Sequence, residues 1–380
     1  MLLNLPYFDN NATTKPYTEV NDLINLYSEK YYANVSSKNH PLGWASNAAY
    51  KNLIESIAKI LNTSVQNIII TSGATEAISL IIKGLYFQNK SEKNHIISCV
   101  TEHSAILETL SYLKKFHNAN ITLLNVDKFG KINLDELKEI ITDKTLLVTL
   151  MAVNNETGVM HPIKEIYSIT QQYRVLFFTD STQYIGKLHL QNIYADIFCG
   201  SAHKFHGPKG IGFAVIKNIG TKVILHPLIH GGNQQAYRSG TIPLPLVAGM
   251  YEALRISMKD IEINQRNIQS IRNYFETQLT SSFDCIINSA PSERIFNTSS
   301  ITFHQKYYNT LINLSKRYCF SQGSACSDGN GKPSHVLTSM GFSKEEIKNT
   351  FRFSFSQFNT LTEIDQFIID LKKNYEQENH

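Results

Sequence analysis

Between residues 67 and 216, short apolar runs alternate with stretches of helical periodicity. Runs at 67–70, 95–100, 121–126, 145–151, 175–179, 195–199 and 211–216 are rich in β-branched and aromatic residues and end in turn residues, which predicts buried strands. Helical stretches are predicted at 77–84, closing on Gly84, and at 104–116, 133–141 and 163–173. A parallel strand pair needs a crossover long enough to hold a helix, so this alternation predicts a mostly parallel sheet with helices on both faces. The carboxyl ends of such strands open on one crevice. Helices at 18–32 and 41–61 precede the alternation. A long amphipathic helix at 244–280 follows it and is expected to bridge to a second unit. That unit holds strands at 297–303 and 350–355, a Gly/Ser-rich loop at 321–333 and a final helix at 361–376.

Composition narrows the function classes. Length points to two domains in 380 residues, and 42% apolar with 18% charged residues argues for a full core rather than disorder. The net charge is +4 without a Lys/Arg block, so no nucleic-acid partner is expected. No run is long enough to span a membrane, and the first residues lack a signal-peptide pattern. Cys99, Cys199, Cys285, Cys319 and Cys326 are scattered with no CxxC pair. This argues against a disulfide framework or a structural metal and for a reducing, cytoplasmic setting.

Polar residues gather at the predicted strand ends: Thr75, His103, Asn155, Asp180, Gln183, His203 and Lys204. Each alone has a structural alternative. Asp180 and His103 suit helix caps, Asn155 suits a turn, and Thr71-Ser-Gly-Ala-Thr-Glu76 is a common strand-to-helix turn as well as a phosphate cradle. A lysine in a loop is most often solvated, yet burial at a strand end would free the Lys204 amine as a nucleophile. Taken together the residues meet the needs of pyridoxal phosphate: a lysine to bond it, an Asp for its ring nitrogen, a helix N-terminus for its phosphate and a flat group to stack on its ring.

Eight motifs occur in one order: Tyr7-Phe-Asp-Asn-Asn-Ala-Thr-Thr14, Thr71-Ser-Gly-Ala-Thr-Glu76, Thr101-Glu-His103, Val153-Asn-Asn-Glu-Thr-Gly158, Asp180-Ser-Thr-Gln183, His203-Lys-Phe-His-Gly-Pro-Lys-Gly-Ile-Gly212, Arg238-Ser-Gly-Thr241 and Gly323-Ser-Ala-Cys326. From about residue 7 to 358 the chain closely resembles the NifS/IscS-type cysteine desulfurases of the class-V aminotransferase superfamily. The resemblance implies the fold of the pyridoxal phosphate transferases of the aspartate aminotransferase type. It implies a large cofactor-binding domain over 15–250. A small α+β domain would comprise 1–14 and 251–380 and carry a catalytic cysteine loop at 320–333. In site residues it implies Lys204 as cofactor anchor and proton shuttle, Asp180 against the ring nitrogen, and Gln183 and Asn155 near the ring hydroxyl and substrate. His103 would stack on the ring and serve acid–base chemistry. Ala74, Thr75, Ser201 and His203 would hold the phosphate, with Thr241 reaching across a homodimer interface. Arg352 and Asn34 would grip the substrate carboxylate. Cys326 falls at the family's nucleophile; its Gly-rich flanks predict a mobile, accessible thiol.

The activity so implied is conversion of L-cysteine to L-alanine, with the sulfur passed through a Cys326 persulfide to an acceptor protein. That acceptor would be an iron–sulfur scaffold or a tRNA-thiolation relay. Two competing readings are a selenocysteine lyase or other class-V aminotransferase-like enzyme, and a non-catalytic protein that kept the fold. Departures from the family pattern include Ala202 before the His-Lys pair, Ala33 and Val35 around Asn34, and Gln357 in place of a Gly-Arg pair. The chain also stops soon after its last helix, without the extension by which some relatives dock a scaffold.

Overall fold

The computed structural model describes residues 5–232, 236–322 and 333–378. Among the described residues, eleven strands form two sheets. The larger comprises β1 (Ile68–Thr71), β2 (His95–Cys99), β3 (Asn120–Leu124), β4 (Thr145–Thr149), β5 (Leu176–Asp180), β6 (Ile197–Ser201) and β7 (Gly212–Ile216), in the order β1-β7-β6-β5-β4-β2-β3. Strands β2 to β6 pair in parallel, and β7 runs antiparallel between β6 and β1. The mostly parallel α/β architecture is the one expected from the alternation. It follows that β1, β5 and β6 end, and β7 begins, at one edge of the sheet.

Both faces are covered. Helices Ala74–Asn89 and Ser104–His117 bury Ile78, Ile81, Leu85, Ile106 and Leu110 on one side. On the other, Ile163–Gln172 and Leu244–Lys259 bury Ile166, Val247, Met250 and Leu254. Two helices differ from expectation. The helix after β1 does not close on Gly84 but runs five residues past it to Asn89, since packing of Leu85 and Tyr86 outweighs the modest cost of one glycine. The stretch 244–280 is two helices, Leu244–Lys259 and Ile261–Ser282, broken at Asp260. The first packs on the large sheet, and the second turns Phe275 and Leu279 into an aromatic core with Phe353, Phe355 and Phe367.

That core belongs to the smaller, antiparallel sheet of β8 (Cys285–Ile287), β9 (Thr298–Phe303), β10 (Ser321–Gln322) and β11 (Thr350–Ser354), in the order β10-β11-β9-β8. The N-terminal segment joins it: Tyr7 and Asp9 bridge in parallel to Cys319 and Ser354. The chain then crosses to the large sheet, where Thr14 N–H donates to the His203 carbonyl at 2.9 Å. Residues 9–14 therefore run between the two sheets, directly over the end of β6.

Candidate active site

The shared edge of β1, β5, β6 and β7 builds the site. In register, Thr71 and Ser201 both face Gly212. A side chain at Gly212 would put a Cβ 2.6 Å from the Gly200 carbonyl oxygen and 2.7 Å from the Gly73 Cα, so this close approach requires glycine. It brings the turn before helix Ala74–Asn89 against the end of β6. Gly73 caps that helix without a side-chain bond. Its first-turn N–H groups and positive end therefore face the adjoining cavity, as an anion would require.

That cavity has a volume of about 640 Å3. Nine of the sequence-predicted residues line it: Ala74, Thr75, His103, Asn155, Asp180, Gln183, Ser201, His203 and Lys204. Lys204 Nζ donates to the carbonyls of Asn11 at 2.6 Å and Ala12 at 2.7 Å. Burial and the Arg352 cation push its amine down to about 8, against the pull of Asp180 and Asp9. The lysine is thus desolvated and readily deprotonated, the condition for a nucleophilic amine. His203 donates or accepts on Thr13 Oγ1 at 3.1 Å. Burial, with Lys204 and Lys209 nearby, lowers it to about 4, so it is neutral.

Asp180 ends β5, 6% exposed, and its Oδ1 accepts from Thr182 N–H at 2.9 Å. The neighbouring Glu102 is fully buried, and burial together with the Asp180 charge raises it well above the carboxylate range. Glu102 is therefore held protonated, and Asp180 presents its carboxylate to the cavity. His103 N-caps helix Ser104–His117, its Nδ1 accepting from Ala105 N–H at 3.1 Å. That bond leaves Nε2 as the protonated nitrogen of the neutral ring.

A second cavity of about 300 Å3 adjoins the first, sharing Ala12, His103, Asn155 and Lys204, and reaches Arg352 in β11. Arg352 donates to Asp9 at 2.6 Å, to Ser321 Oγ at 3.0 Å and to the Asn155 carbonyl at 3.1 Å, while its buried Nε–H has no partner. A cation with an unspent donor beside Lys204 suits a carboxylate.

Two described residues of the predicted set are not brought into these cavities. Asn34 is exposed in a turn of its own, accepting from Ser36 N–H, because the chain from 31 to 40 stays on the surface. Thr241 is exposed and lines neither cavity. Cys326 lies outside the described residues. The sequence reading assigned no role to Asn11, Thr182, Asp9 or Lys187. The first three stand in quoted motifs, but only the fold shows that the backbone of Asn11 meets Lys204.

The class-V aminotransferase family matches residues 6–367. The mitochondrial cysteine desulfurase of Saccharomyces cerevisiae is 36% identical over 95% of this chain and 73% of its own length. The cysteine desulfurase IscS of Ehrlichia chaffeensis is 35% identical over 95% and 89%. A solved NifS-like protein superposes with a TM-score of 0.89 at 31% identity, covering 99% of both chains. The chain belongs to the class-V aminotransferases, among the NifS- and IscS-like cysteine desulfurases. These enzymes depend on pyridoxal phosphate, and the cavity fits that group. It offers an uncapped helix start for a phosphate, the Asp180 carboxylate for a ring nitrogen and a desolvated lysine. Thr182 also lines the cavity, with its Oγ1 buried.

Proposed function

We propose that this chain converts L-cysteine to L-alanine and takes the sulfur as a persulfide on Cys326 for delivery to an acceptor protein. The observation that carries the reading is Lys204, a desolvated amine held between Asp180 on one side and Arg352 on the other. Ala74, Thr75, Ser201 and His203 would hold the cofactor's phosphate, Asp180 its ring nitrogen and Lys204 its reactive carbon. When bound, the cofactor supplies an electron sink for substrate carbon chemistry. Arg352 orients the substrate carboxylate through its fork. Lys204 takes the proton from the substrate α carbon, and its lowered affinity suits it to return that proton later. His103 lines both cavities and would serve acid–base chemistry on the substrate. In the net reaction the Cys326 thiol gains the substrate sulfur as S–SH, the carbon–sulfur bond of cysteine breaks and alanine leaves.

The exposed Thr241 would reach the phosphate site of a second subunit in a homodimer, as the resemblance implies. A scaffold or thiolation relay would take the sulfur, in a reducing compartment such as the cytoplasm. Among the described residues no helix is long and apolar enough to cross a membrane. Feeding the protein L-cysteine and measuring alanine tests the reaction, and C326S should abolish it while keeping the cofactor's absorbance. Preferential turnover of selenocysteine would favour the lyase reading instead. Sedimentation at a monomer's mass would contradict the dimer.

A further inference from the structure

Asn11 is 2% exposed in the segment that runs between the two sheets, and each of its polar atoms has a partner. Its backbone carbonyl accepts from Lys204 Nζ at 2.6 Å and from Gln183 Nε2 at 3.0 Å. Its other groups bind the small sheet. Nδ2 donates to Thr298 Oγ1 in β9 at 2.9 Å, and Oδ1 accepts from Asn297 Nδ2 at 3.2 Å. The backbone N–H donates to Ser354 Oγ in β11 at 2.9 Å. Nδ2 also donates to the Asn155 carbonyl at 3.1 Å, the same oxygen that accepts from Arg352 Nη1 at 3.1 Å.

Two shared acceptors therefore connect Arg352 to Lys204 through one residue. The Asn155 carbonyl joins Arg352 to the Asn11 amide, and the Asn11 carbonyl joins that residue to the lysine. The partners settle which way the amide lies. A carbonyl only accepts, so the amide nitrogen must face Asn155, which leaves Oδ1 for the Asn297 amide. The second carbonyl on Lys204 is that of Ala12, at 2.7 Å. A methyl side chain makes no hydrogen bond, so of the two residues that hold the lysine only Asn11 has a side-chain tether. A buried amide with all its bonds made specifies one arrangement of the groups around it.

We propose that Asn11 is a positioning residue that sets Lys204 and Arg352 in one register, so that a single buried amide aligns the cofactor's anchor with the grip on the substrate carboxylate. The inference rests on the reading of Lys204 as cofactor anchor and of Arg352 as carboxylate partner.

The test uses the cofactor-loaded enzyme with Asn11→Leu, which keeps the branched shape of the side chain and removes its hydrogen bonds. Few partners are stranded, because Asn297 Nδ2 keeps the Phe355 carbonyl and Thr298 Oγ1 keeps Asn297 Oδ1. Loss of the cofactor on dialysis should quicken about tenfold, and KM for L-cysteine should rise about tenfold, each the worth of one ordinary hydrogen bond. With Arg352→Lys added, the rise in KM should fall short of the product of the two single rises, since both act at the Asn155 carbonyl. Asn11→Asp keeps the size and the bond from Asn297 but has no amide N–H for Asn155. It should move both readings the same way where the Leu variant does not fold. A purely structural asparagine would lower the melting temperature and leave cofactor loss and KM in place. That result, a change in only one of the two, or a full product in the double variant overturns the proposal and leaves the cofactor reading intact. Absence of a visible band in wild type overturns both.

Discussion

The two walls of the cavity are held in different ways. The wall from the large sheet is fixed by backbone: Gly212 packs against Gly73, Thr14 bonds the His203 carbonyl, and Lys204 reaches carbonyls of a crossing segment. The wall from the small sheet is fixed by side chains. Arg352 hangs on Asp9 and Ser321, and Ser334 and His335 tether the chain after the 323–332 stretch to Glu156 and to the Glu102 carbonyl. The backbone-built wall suits a permanent cofactor, and the side-chain-built wall suits a substrate that enters and leaves. The difference teaches that substitutions on the two walls should separate cofactor retention from substrate affinity.

The largest effect expected is on the first wall. Lys204→Ala should lose the cofactor's covalent absorbance and more than about a thousandfold of the turnover rate, since it removes both anchor and proton carrier. An unchanged spectrum would break the comparison. Next comes Gly212→Ala. Its Cβ would collide with backbone on two sides, so it should cost about 1–3 kcal/mol of stability and weaken cofactor binding, read by thermal melting with and without cofactor.

Acid sensitivity probes the ground beneath the site. His161 is buried with neither ring nitrogen partnered, and burial lowers it from 6.5 to about 4. The unfolded chain therefore binds the proton first. Stability from keeping His161 neutral is full above pH 6.5 and is lost as pH falls toward 4, by about 3 kcal/mol. His161→Met should melt near the wild-type temperature at pH 7 and above it at pH 4.

On the second wall, Arg352→Lys should raise KM for L-cysteine by roughly tenfold to a hundredfold through the loss of about 1.5–3 kcal/mol of charged hydrogen bonding, with the cofactor spectrum unmoved. Smallest of all, Asn34→Ala should shift stability by no more than about 0.5 kcal/mol and leave KM unchanged, as its exposed turn lies away from both cavities.

The large sheet was legible because each of its strands is a short apolar run closed by a turn, so Asp180, His203 and Lys204 could be placed at strand ends by counting. The small sheet was less so. Residues β8 and β10 are short and only half-buried, which leaves no hydrophobic pattern to read. The break at Asp260 is hidden by continuous amphipathic periodicity on both sides. Within the site, side-chain chemistry was legible from motifs, whereas the carbonyls of Asn11 and Ala12 were not, since any residue carries one. Lys187 stands in no quoted motif, and only the fold shows it enclosed. Asn34 was placed by family position alone, and the structure leaves it on the surface.

The most direct test of the account is mass spectrometry of the cofactor-loaded protein after incubation with L-cysteine. The account predicts alanine in step with one added sulfur on the peptide containing Cys326, both absent in C326S. Alanine released at the wild-type rate by C326S, or sulfur carried on Cys285 or Cys319 instead, would contradict it.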